Sequence, residues 1–143
     1  MEKKKIMIVD DSSTMRLIIR NFINSDPNFT VIQTAVNGKD ALEKLAVASP
    51  DLILLDIEMP EMDGLEFLRH ARLKTRAKLV VLSSISDINS PARLQARALG
   101  ADGVVGKPSG AISYDLEEKC GIEMWQVIYK LLGMVYGAPS IPL

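Results

Sequence analysis

Six polar residues of this chain stand where short apolar runs end. Asp10 and Asp11 follow Ile6-Met7-Ile8-Val9, and Asp56 follows Leu52-Ile53-Leu54-Leu55. Ser83 and Ser84 follow Leu79-Val80-Val81-Leu82, and Lys107 follows Gly103-Val104-Val105-Gly106. Three carboxylates brought together repel one another, and a hard divalent cation with oxygen and water ligands relieves that repulsion, as magnesium does. Beside such a cation Asp56 can act as a nucleophile towards phosphorus, while Lys107 offsets charge on the equatorial oxygens. A carboxylate nucleophile yields an acyl phosphate, a hydrolysable bond suited to reversible signalling.

That chemistry requires residues far apart in sequence to meet, and the elements between them supply the means. Residues 5–10, 30–35, 52–56, 79–83 and 103–106 read as strands, several of them continuously apolar as in a parallel sheet buried on both faces. Helical patterns lie between them. Met15, Ile18, Ile19 and Phe22 keep helical spacing behind a Ser/Thr-rich start at residues 12–14. Asn37-Gly38 reads as a turn into a second helix with Ala41, Leu42 and Leu45, and Gly64 precedes a third with Leu65, Leu68 and Ala71. Ser90-Pro91 opens a fourth that runs to Gly100. Met124, Trp125, Ile128, Leu131, Leu132 and Val135 form the stripe of a fifth, whose start is blurred by Gly121. Five strands alternating with five helices predict an α/β sandwich with a parallel sheet, because parallel strands need crossover helices. All strand ends then lie on one edge, where open sheets place their ligands.

Taken singly, each polar feature has an ordinary explanation. Asp10-Asp11 can end a strand and cap a helix, Asp56 can terminate a strand, Ser83-Ser84 can form a turn, and Lys107-Pro108 can be loop. Their joint placement at four strand ends favours a site.

Composition narrows the class. The chain has 143 residues, 48% of them hydrophobic, which suits one domain of residues 4–133 followed by a tail or linker start at 134–143. Seventeen Lys+Arg against eighteen Asp+Glu argue against direct nucleic-acid binding as the main activity. One cysteine, Cys120, forms no internal disulfide, and with a single histidine it builds no zinc site. The apolar run after the basic start ends at Asp10, too short for a signal or spanning segment, so a soluble cytoplasmic protein is expected.

Residues 5–16, ending Asp10-Asp11-Ser12-Ser13-Thr14-Met15-Arg16, residues 54–64 around Asp56, and Gly100-Ala101-Asp102-Gly103 with Lys107-Pro108 resemble the motifs of response-regulator receivers. The resemblance covers about residues 5 to 132 and implies a single flavodoxin-like (βα)5 three-layer sandwich with strand order 2-1-3-4-5. It implies Asp56 as phosphoacceptor, fed by a histidine kinase. It further implies magnesium, or manganese, on Asp11, Asp56 and the backbone carbonyl of Glu58, with Asp10 acting through water. Ser83 and Lys107 would bind phosphoryl oxygens and take part in the switch. Many receivers carry an aromatic residue three positions before the lysine; here that position is Val104, so the usual aromatic switch cannot operate.

A narrower resemblance joins residues 10–16 to Lys107-Pro108-Ser109-Gly110-Ala111-Ile112-Ser113, which is similar to the receiver half of chemotaxis protein-glutamate methylesterases. It implies a methylesterase output domain absent from this chain, whose one histidine, His70, lies in the third helix pattern and is expected on the surface. A free-standing regulator acting through protein contacts remains open beside it. An aspartyl-phosphate phosphatase would place a second Asp two residues after Asp10, where Ser12 stands. A flavin carrier would set its phosphate against Asp10 and Asp11, and a pseudo-receiver would lack this complete set of acids and lysine.

Overall fold

Apolar runs become strands here because helices cover both of their faces. A computed structural model of the chain describes residues 3–57, 64–83, 91–106 and 114–137. The strands β1 (Lys4–Val9), β2 (Phe29–Ala35), β3 (Leu52–Asp56), β4 (Lys78–Ser83) and β5 (Gly103–Gly106) form one parallel sheet. Its order is β2-β1-β3-β4-β5, as expected, and each strand lies within one residue of its expected bounds. The helices are α1 (Ser13–Asn24), α2 (Gly38–Leu45), α3 (Gly64–Lys74), α4 (Pro91–Ala98) and α5 (Tyr114–Leu131).

Alternation along the strands sorts side chains into two cores. Ile6 and Ile8 of β1 face Ile19 and Ile23 of α1 and Met124 and Ile128 of α5. Met7 and Val9 face the other way, with Phe67, Leu68 and Ala71 of α3 and Ala96 of α4. Full burial of such side chains stabilises by about 1.5–3 kcal/mol each. The three layers therefore close around the central strands.

Helix ends follow local chemistry. The Ser12 hydroxyl accepts the Met15 N–H at 3.2 Å, and the Asn37 side chain accepts the Asp40 N–H at 2.8 Å. Such caps are worth about 1 kcal/mol each. Gly100 (φ +108°) and Gly133 (φ +70°) end α4 and α5. At these ends the Ala101 N–H reaches the Ala96 carbonyl at 3.0 Å, and the Met134 N–H reaches the Tyr129 carbonyl at 2.8 Å.

Two expectations about α5 change. Gly121 does not interrupt it: the helix runs through from Tyr114, and a Cβ at Gly121 would lie 3.2 Å from the Phe22 ring, so the glycine permits close approach to α1. Val135 does not belong to the stripe, because the Gly133 turn ends the helical repeat and leaves Val135 93% exposed. Trp125 is a packing residue, its ring 4.7 Å from Phe22 and 5.1 Å from Phe29. Beyond α5, Met134 and Tyr136 pack back against this core. Among the described residues, no helix is long and apolar enough to cross a membrane.

Candidate functional site at the carboxyl edge of the sheet

Parallel pairing fixes which residues meet. Val9 pairs with Leu55, so the residues that follow them, Asp10 and Asp56, leave the sheet side by side. Asp56 pairs with Leu82, and Ser83 pairs with Gly106 at the end of β5. Asp10, Asp56 and Ser83 are buried, while Asp11 is exposed. One carboxylate oxygen from each of Asp10, Asp11 and Asp56 lies within 4.8 Å of the others. The structure thus brings together four of the expected site residues.

Burying two carboxylates beside a third is costly unless an opposite charge joins them. The donors are all hard oxygens and include an exposed member open to water ligands, a set that fits magnesium or manganese. Glu58, Ser84 and Lys107 lie outside the described residues. Val104 is buried in the core beneath α3 and α4, paired with Val81 in the neighbouring strand. His70 is exposed on α3, as expected.

The turn between β1 and α1 is held by its own hydrogen bonds. An Asp10 carboxylate oxygen accepts the Ser12 N–H at 2.9 Å, and the Asp10 carbonyl accepts from Nη1 of Arg16 at 2.8 Å. Sequence reading gave Arg16 no role. The available signal was its charge, since a cation near a helix N-terminus opposes the helix dipole and needs a compensating partner. Asp102 is a second such residue. Its carboxylate accepts the Leu79 N–H at 2.8 Å and an Arg72 guanidinium N–H at 3.3 Å, tying β4, α3 and the start of β5 together. A cleft of about 400 Å³ between residues 48–51 and 74–77 lies at the opposite edge, where β3 and β4 begin, and shares no residue with the carboxylates.

Comparison with known proteins agrees with this geometry. The family described as "Response regulator receiver domain" matches residues 6–114. A protein-glutamate methylesterase/protein-glutamine glutaminase of Halalkalibacterium halodurans is 42% identical over 139 residues, covering 97% of this chain and 38% of that protein. Another, of Carboxydothermus hydrogenoformans, is 40% identical over 118 residues, covering 82% of this chain and 33% of that protein. The chain thus spans about a third of the length of these curated relatives. Among solved structures, the response regulator domain of Thermotoga maritima CheB superposes with a TM-score of 0.81 at 29% identity, over 94% of this chain and all of that one. A chain in the crystal structure of the P1 domain of CheA3 in complex with CheY6 from R. sphaeroides gives a TM-score of 0.78 at 51% identity, covering 93% of this chain and 99% of that one. The family match runs unbroken from β1 to the first residue of α5, taking in every strand that ends at the acidic edge, and the chain belongs to the response regulator receiver domain family.

Proposed function

We propose that Asp56 accepts a phosphoryl group from a phosphohistidine of a chemotaxis-type histidine kinase, in a magnesium-dependent reaction. The observation that carries this reading is the meeting of Asp10, Asp11 and Asp56 carboxylate oxygens within 4.8 Å at the edge where β4 also ends in buried Ser83. Asp11 and Asp56, together with the Glu58 carbonyl that the family resemblance implies, would hold the cation, with Asp10 acting through water. When bound, magnesium offsets negative charge on the phosphoryl oxygens.

An Asp56 carboxylate oxygen forms the new bond to phosphorus as the phosphorus–nitrogen bond of the donor breaks. The electron pair leaves with the imidazole nitrogen. Ser83 donates a hydrogen bond to one phosphoryl oxygen, and Lys107 pairs with another. Hydrolysis later breaks the bond between phosphorus and the Asp56 oxygen, returning the carboxylate and inorganic phosphate. Residues 4–133 act as the switch. The names of the longer relatives favour a methylesterase as the output, restrained until Asp56 is phosphorylated. A second reading, a free-standing regulator acting through protein contacts, is favoured by the 51%-identical neighbour matched over 99% of its length in a complex with a CheA3 P1 domain.

The test is incubation with a small phosphodonor and magnesium, followed by intact-mass measurement. Wild type is expected to gain one phosphate and Asp56→Asn none. Equal labelling of Asp56→Asn would overturn the assignment, and steady turnover of phosphate esters would favour a phosphatase instead.

A further inference from the structure

Arg16 sits on α1, beyond the turn that carries Asp10 and Asp11, yet its side chain reaches back over that turn. Its Nη1 donates to the Asp10 carbonyl at 2.8 Å, and its own backbone N–H donates to the Ser12 carbonyl at 2.9 Å. Ser12 in turn donates its N–H to the Asp10 carboxylate at 2.9 Å and accepts the Met15 N–H on its hydroxyl at 3.2 Å. These bonds close a ring from Asp10 through Ser12 to Arg16 and back to Asp10. Asp11 lies inside that ring in sequence, with both of its neighbours tied, and its exposed carboxylate belongs to the acidic cluster.

A cation near a helix N-terminus opposes the helix dipole, and here the charged guanidinium finds a compensating partner in the Asp10 carbonyl. The guanidinium also acts on Asp40 of α2. Burial pushes that carboxyl up, but the Val36 N–H, the Lys44 ammonium and the charge of Arg16 bring it below the usual range. Arg16 is thus fixed on the β1–α1 turn, and its charge is felt as far as Asp40 of α2.

We propose that Arg16 is a positioning residue of the phosphoacceptor site, holding the β1–α1 turn so that Asp11 is presented to the divalent cation. This rests on the function proposed above. Two effects of removing Arg16 have opposite signs, and that makes the proposal decidable. Loss of its positive charge alone would tighten magnesium binding by removing a repulsion, whereas loss of the tether loosens it.

The experiment is calorimetric titration of magnesium into the intact chain, with circular dichroism to verify folding. Arg16→Ala is expected to raise the magnesium dissociation constant about tenfold, the scale on which groups that orient metal ligands act. Arg16→Lys is expected to recover part of the loss, since an ammonium can donate to the same carbonyl. Unchanged or tighter binding by Arg16→Ala overturns the proposal. Should the alanine variant fail to fold, Arg16→Met carries the test: it keeps the aliphatic bulk but removes both the donor and the charge, so weaker binding supports the tether and unchanged or tighter binding overturns it. A wild-type protein that binds no magnesium would remove the phosphoacceptor reading and this one together. A wild type that binds, with Arg16→Ala binding equally, removes this one alone.

Discussion

Asp10 and Asp11 are adjacent and chemically identical, yet burial gives them different tasks. Asp11 is exposed and can meet a hydrated ion, while Asp10 is fully buried and spends one oxygen on the Ser12 N–H. Asp11→Asn is therefore expected to weaken magnesium binding about tenfold or more with little change in stability. Asp10→Asn is expected to stabilise the metal-free protein, because it removes repulsion between two buried carboxylates. A gain of about 1 kcal/mol would raise the unfolding temperature by roughly 2–4 °C for a domain of this size. Thermal unfolding in a chelator measures it, and a lower midpoint for Asp10→Asn would show that the pair is not under strain. The acids were legible from sequence because each ends an apolar run. Arg16 was not, because its partner is a backbone carbonyl, which no residue type announces.

At the scale of elements, the contact between β5 and α5 holds the edge strand that ends beside Ser83. Gly103 makes it possible: a Cβ there would lie 2.8 Å from Cγ1 of Val127, a branched side chain with little freedom to move. Gly103→Ala is expected to destabilise by about 1–3 kcal/mol, the usual cost of overpacking. A denaturant titration reads this as a lower midpoint at unchanged slope, and an unchanged midpoint would mean that α5 slides freely on the sheet. The central strands β1, β3 and β4 were legible to within a residue because burial on both faces leaves continuous apolar runs. Gly121 was misleading for the same reason that Gly103 was silent, since the need for a glycine lies in the approaching partner, Phe22 or Val127, and not in the local chain. Val135 kept the period of α5 in sequence, but Gly133 had already turned the backbone away.

For the molecule as a whole, one group links packing to pH. Tyr129 joins the aromatic stack of Phe29 and Tyr136, donates its hydroxyl hydrogen to Asp26, and accepts from the Asn28 amide at 3.2 Å. Burial and the hydrogen bond to Asp26 raise its pKa above the ordinary value, against a smaller lowering by Asn28. The unfolded chain then loses this proton at a lower pH than the folded one does. The stabilisation is complete below about pH 10 and is lost as pH rises past it. The gap in unfolding temperature between wild type and Tyr129→Phe is expected to stay level up to about pH 10 and to narrow above it. A gap independent of pH would remove the link.

The amino-acid sequence by itself determined the alternation of strands and helices, the positions of Asp10, Asp11, Asp56 and Ser83 at strand ends, and the family to which they point. Periodicity and punctuation are local properties, and local properties survive in one dimension. Only the tertiary structure decided that three carboxylates close to within 4.8 Å, that two of them are buried while Asp11 stays exposed, and that Arg16 reaches back to tie their turn. Those are distances and exposures, and they exist only once parallel register has set β1 beside β3 and packing has buried Asp10 and Asp56 while leaving Asp11 open to water.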